Sequence, residues 1–156
     1  MELAGSDGAS SILSTLSRAA GGNALLALLD TRDATAVRAT CREARDEVAA
    51  YPWDDVGTRS TLFRTWEGGT RIAGSLASWR ACFPNARGAD VHNRWDLVDA
   101  DFAHLRGLQR LDMSGCTQGG ITDGAFAHLR GIHTLIVDGC GPGFRIAAAQ
   151  ALALHS

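Results

Sequence analysis

The sequence predicts an α/β chain in which an N-terminal helical segment leads into a short solenoid of repeated strand–helix units. Two observations carry this. Phe102 to Gly107 reads FAHLRG, and Phe126 to Gly131 reads FAHLRG again, 24 residues later. Upstream of this pair, from Ile12 to Val48, apolar residues recur at helical spacing. A fixed period in the twenties marks an architecture in which one short unit stacks on the next. The match extends beyond six letters. Leu97-Val98-Asp99 aligns with Ile121-Thr122-Asp123, and Leu108, Leu111, Met113, Gly115 and Cys116 align with Ile132, Leu135, Val137, Gly139 and Cys140.

Residues 1–11, rich in Gly, Ser and Ala, are expected to form a flexible tail. Residues 12–50 form a helical segment. Ile12, Leu13 and Leu16 mark a short helix ended by Gly21-Gly22. Asn23 is placed to cap a second helix carrying Leu25, Leu26, Leu28 and Leu29. Asp33 is expected to cap a third segment in which Val37, Cys41, Ala44 and Val48 share one face. Tyr51-Pro52-Trp53 ends it, because proline disfavours helix in the residue before it. Residues 51–71 read as a connector with Leu62, Phe63 and Trp66 as anchors. The repeats occupy residues 72–156. They open with Ile72, Leu76, Trp79 and Phe83 on one helical face.

Each repeat has two halves. Leu111 and Met113 alternate as in a strand, pointing to one side. Thr122 to Leu129 reads as a short capped helix with Phe126 and Leu129 inward. Asp123 is the expected N-cap, and Asp99 takes that place one unit earlier. A degenerate copy runs from Phe83 to Val91. Its Ala86 and Ala89 stand where leucines are expected, leaving room for Trp79 or Trp95. A fourth copy begins after Cys140, with Ile146, Ala151 and Leu154, and stops before its strand, as in a truncated relative of longer chains.

Composition excludes several classes. Hydrophobic residues make up 46%, too many for a wholly disordered chain. Formal net charge is −2, which offers no basic field for nucleic acid and no polybasic membrane patch. No apolar run approaches the roughly 20 residues of a transmembrane helix, and the acidic, polar start is no secretory signal. Reduced, mostly buried thiols in the cytoplasm or nucleus are therefore expected of Cys41, Cys82, Cys116 and Cys140. Their spacing does not fit the common zinc classes, so neither a metal nor a cofactor is expected. All 15 basic residues are arginine. Codon bias explains this, and so does a chain that avoids ubiquitination of itself.

The pattern LxxLxLxxC, met at Ile132, Leu135, Val137 and Cys140 and followed by a helix, resembles the cysteine-containing leucine-rich repeat. That resemblance implies parallel strands on a concave side and helices on a convex side. It also implies that Cys116 and Cys140 bond backbone groups under a turn, a structural role.

The run from Leu28 to Arg42 resembles the middle of an F-box: a leucine-rich helix end, Asp33 opening the next helix, Val37 four on, then Thr40-Cys41-Arg42. Ala44 stands where that family has tryptophan, and Gly21-Gly22-Asn23 where it opens with Leu-Pro. An F-box followed by cysteine-type repeats implies a substrate receptor of a cullin–RING ubiquitin ligase. The style of the chain also resembles F-box-like repeat proteins of large DNA viruses, which would place it in host cytoplasm. By this resemblance Leu25, Leu28, Leu29, Val37, Cys41 and Arg42 dock on a Skp-type adaptor. The plainer reading of the same leucines is the core of a helical cap on the solenoid.

The target would meet residues flanking the inward strand positions: Asp90 and His92, then Arg110, Asp112 and Ser114, then Thr134, Ile136 and Asp138. Gly88 completes the first row, and a solvated face is the alternative reading. Three strands span only about 10 Å, narrow for an interface of roughly 800 Å² per partner. His104 and His128 recur at repeat spacing, which favours a solvated helix surface over catalysis. Phosphate loops, nucleophile–base sets and metal-ligand clusters are not assembled with any specificity. The chain is expected to be non-catalytic and monomeric outside its complex. Its expected role is either the ligase adaptor or a repeat scaffold without ubiquitin linkage.

Overall fold

A computed structural model describes residues 26–56, 72, 74–117 and 119–141. The tail, the helix from Ile12, the Asn23 cap, the anchors Leu62, Phe63 and Trp66, and the fourth copy at Ile146, Ala151 and Leu154 lie outside these residues. A 3-10 turn, Leu26–Leu28, precedes α1 (Thr31–Arg38) and α2 (Arg42–Ala50). Then come α3 (Leu76–Cys82), β1 (Gly88–Asp90), a 3-10 helix (Asp99–Leu105), β2 (Arg110–Asp112), α4 (Asp123–Phe126) and β3 (Thr134–Ile136). The class is mixed α/β with one three-stranded parallel sheet in the order β1-β2-β3. No helix among the described residues is long and apolar enough to cross a membrane.

The strands pair in repeat register: Gly88 with Arg110 with Thr134, Ala89 with Leu111 with Leu135, and Asp90 with Asp112 with Ile136. Ala89 and Leu111 are fully buried, and Leu135 is half-buried against the same core. Each strand ends in a turn with a positive φ at the same register: Asn93 at 56°, Gly115 at 72° and Gly139 at 71°. At Gly115 a Cβ would also collide with the Asn93 side chain, so glycine is required twice over. Asn93 holds the same conformation because asparagine tolerates it better than other non-glycine residues.

Of the two rings offered for the room beside Ala86 and Ala89, Trp79 is buried in the same cluster as both alanines, whereas Trp95 is 69% exposed. Trp53 joins that cluster. It packs edge-on against Phe83 with ring centroids 5.8 Å apart, and Trp79 lies 6.1 Å from Phe83. Pro52 ends α2 and turns the chain back along β1. There the Trp53 carbonyl accepts the Arg87 and Gly88 N–H groups at 2.6 and 3.0 Å, and Asp54 bridges Gly88 in parallel. The head thus covers the β1 edge, which would otherwise expose unpaired backbone groups.

Three sequence expectations about helices are corrected. First, Asp33 does not open a continuous segment. Asp30 is the N-cap of α1 and accepts the Asp33 N–H at 3.0 Å. Second, that segment splits into two helices. The Thr40 hydroxyl donates to the Val37 carbonyl at 2.7 Å, and Cys41 takes an extended conformation, its sulfur accepting the Ala44 N–H at 3.4 Å to cap α2. Third, α4 is capped by Thr122, whose hydroxyl accepts the Gly124 N–H at 3.2 Å. Asp123 is its first residue, and Asp99 is likewise the first residue of the 3-10 helix, whose N-cap position is Val98. Before the 3-10 helix, Asp101 accepts the Val98 N–H at 2.9 Å. Ile72, Leu76, Trp79, Phe83, Phe126 and Leu129 are buried as expected, but Ile72 and Phe83 lie outside α3 and Leu129 lies beyond α4.

Head and sheet are joined by a buried polar knot. The Asp55 carboxylate accepts the Thr31 N–H at 2.9 Å and the Thr31 hydroxyl at 2.6 Å. The Thr31 oxygen accepts the Trp79 indole N–H at 3.1 Å. Thr31 and Asp55 are 1% and 2% exposed. Removing one partner from such a set leaves buried donors unsatisfied. Asp55→Ala is therefore expected to lower the unfolding free energy by about 2–4 kcal/mol. Urea denaturation with an unchanged m-value reads this, and a loss below about 0.5 kcal/mol would refute it.

Candidate functional site

All eight residues expected to face a target occupy adjacent register rows across the sheet. In the first row Arg110 and Thr134 are exposed, while Leu111 beside Arg110 is buried. Arg110 donates to the Asp54 carboxylate at 2.8 Å, over Gly88. A Cβ at Gly88 would collide with that carboxylate, so the missing side chain opens the path of the ion pair. In the second row Asp90 is buried, and Asp112 and Ile136 are half-buried. Asp90 accepts the His92 N–H at 3.1 Å and pairs with the His92 ring. Asp112 accepts the Ser114 N–H at 2.9 Å. The two aspartates thus build the same local turn in successive units, and Ile136 has no carboxylate to repeat it. His92, Ser114 and exposed Asp138 form the third row.

Beneath the turns runs a ladder of side chain to backbone bonds. Cys116 donates to the Val91 carbonyl at 3.4 Å and Cys140 to the Met113 carbonyl at 3.3 Å. Each thiol therefore ties its unit to the strand end of the one before. Burial pushes the Cys116 thiol up to about 11 and raises Cys140 as well, so both stay protonated near neutral pH and serve as donors. At the same register in the first unit stands Arg94. It is buried, donates to the Ile72 and Gly74 carbonyls at 3.0 Å each, and pairs with Asp96. The Asp96 hydrogen bonds raise Arg94 and lower Asp96. Sequence reading missed this. The signal was present as Asn93-Arg94 aligned with Gly115-Cys116, but residue type changes completely between the two.

Units are also tied on the helix side. Asp99 accepts the Thr122 N–H at 2.7 Å and the Thr122 hydroxyl, bonds that hold its carboxyl below the usual range. Arg80 donates to the His104 and Arg106 carbonyls at 2.7 and 2.9 Å. The expectation of merely solvated His and Arg is corrected there: exposed Arg106 donates to His128 Nδ1, a partner supplied by the next unit.

The residues expected to dock an adaptor differ in exposure. Leu28 is 75% exposed, and Arg42 is exposed at the start of α2. Leu29 and Val37 are half-buried against the core. Cys41 is the half-buried cap of α2. Leu25 lies outside the described residues. Among the described residues no cluster of His, Cys, Asp or Glu is arranged to hold a metal ion. No family model, curated protein or solved structure matches the chain.

Two outcomes follow from these bonds. With iodoacetamide at pH 8, half-exposed Cys41 and Cys82 should be labelled well before Cys116, of which only about a thousandth is ionised at that pH. Peptide mapping over time reads the order, and early Cys116 labelling would contradict the ladder. Asp99 is depressed in the folded state, so its contribution is complete above the unfolded value of about 3.9 and disappears as pH falls through the folded value. Thr122→Val should thus lower stability at pH 6 and narrow the gap to wild type at pH 2.5. Thermal melts at the two pH values measure it, and an equal gap would count against the bond.

Proposed function

We propose that the chain is a non-catalytic protein-recognition module of the leucine-rich-repeat kind, holding a target on the face of β1, β2 and β3. The strand register carries this reading. It sets Asp90, Asp112 and Ile136 side by side above a row of Ala89, Leu111 and Leu135. The scaffold is repeated below while the surface chemistry changes from unit to unit, which is how stacked-repeat scaffolds present partner-specific surfaces. Thr134→Arg combined with Ile136→Arg should abolish capture of a target, identified by mass spectrometry, by the tagged chain. Stability should shift by only about 0.5 kcal/mol. Undiminished capture of the same target by this variant would remove the assignment of the face.

A second reading is favoured by Leu28. A leucine that is 75% exposed just before the Asp30-capped start of α1 suits docking of the F-box-like head on a Skp-type adaptor. The chain would then be a substrate receptor of a cullin–RING ubiquitin ligase. The packing of Leu29 and Val37 against the core supports instead the scaffold without ubiquitin linkage. Wild type should co-purify with a Skp-type adaptor, and Leu28→Arg should weaken the complex at least about tenfold. Absence of binding by wild type at micromolar concentration decides for the scaffold.

A further inference from the structure

Where the strands give way to turns, an exposed tryptophan adjoins the target-facing residues. Trp95 is 69% exposed, yet its indole N–H donates to the Gly115 carbonyl at 3.1 Å. The ring is therefore held in water with its polar handle already satisfied by backbone. Nothing in the core needs it, since Trp53, Trp79 and Phe83 fill the interior beside β1. Asp112 and Asp138 are joined to the same turn. Asp112 accepts the N–H of Ser114, the residue before Gly115, at 2.9 Å, and the Gly115 N–H donates to the Asp138 carbonyl at 2.8 Å. Asp54 and Asp90 are paired with Arg110 and His92. Neither the Asp112 nor the Asp138 carboxylate has an ion pair among the described residues.

We propose that this end of the sheet docks an arginine-bearing, basic segment of a partner protein. The proposal rests on the recognition-module reading and names the partner class. A guanidinium is planar, stacks on an indole face and bonds carboxylates with a matching fork. The pinned Trp95 supplies the face, and Asp112 and Asp138, bonded to the same turn, supply carboxylates at this end of the sheet. With no ion pair at Asp112 or Asp138 among the described residues, the surface attracts a basic chain and repels an acidic one.

The test titrates the full chain with three peptides of alternating Gly and Arg, Gly and Lys, or Gly and Glu, followed by calorimetry and tryptophan fluorescence. Saturable binding of the Arg peptide is expected, about two- to fivefold tighter than the Lys peptide and weakened by a similar factor in Trp95→Ala. Trp95→Phe should recover most of that loss. Asp112→Asn with Asp138→Asn should weaken binding further and flatten its salt dependence. The amide oxygen introduced at position 112 can still accept the Ser114 N–H, so the turn keeps its bond. Urea midpoints confirm that each variant is folded. Equal affinity of wild type and Trp95→Ala, preference for the Glu peptide, or no binding at millimolar peptide each overturn the proposal. If the Arg peptide fails while a target lost in Thr134→Arg/Ile136→Arg is still captured, the partner class is wrong and the module reading stands. If no such target is captured either, the module reading fails with it.

Discussion

The bond set linking Thr31, Asp55 and Trp79 joins three separate parts of the chain in one buried place. Thr31 opens α1, Asp55 follows the segment that pairs with β1, and Trp79 lies in the helix before β1. A carboxylate that is 2% exposed is tolerable only while its donors stay in place. Its position therefore constrains the others. α1 must present Thr31 inward, the chain after Pro52 must run along β1, and α3 must turn Trp79 toward the head. With those three placed, the Trp53 carbonyl meets the Arg87 and Gly88 N–H groups, and the exposed edge of the sheet is closed.

From that covered edge the units follow one another by the same few bonds. The thiols of Cys116 and Cys140 reach back to carbonyls at the preceding strand end, and Arg94 does so in the first unit with a longer side chain. A thiol has one weak donor, which suits a carbonyl directly beneath the turn. The guanidinium has five donors and spans the Ile72 and Gly74 carbonyls plus the Asp96 carboxylate.

The same economy shapes the outward face. Asp90 and Asp112 each bond the N–H two residues on, so part of their apparent binding chemistry is turn chemistry. Arg110 is likewise engaged, by Asp54 from the head. Around Gly115 the Trp95 indole, the Ser114 N–H bonded by Asp112 and the Asp138 carbonyl are held in one turn.

The strand register, the buried faces of the helices and the turns at Gly115 and Gly139 were all legible from the doubled FAHLRG and its flanks. Those features depend on contacts between a residue and its counterpart one period away, and a period is visible in one dimension. The roles of Asp54, Asp55, Arg94 and Trp95 were not legible. Each is decided by a partner 20 or more residues distant, or by a helix end that the chain reaches only after folding. Trp95 illustrates the difference. Its sequence context offered it to the core, but it stands in water with its indole N–H on the Gly115 carbonyl. The sequence by itself determined the repeating frame, because local spacing dictates which side chains face inward. The tertiary structure decided which tryptophan is buried, because Trp53 is carried into the core by the backbone bonds that hold its segment against β1.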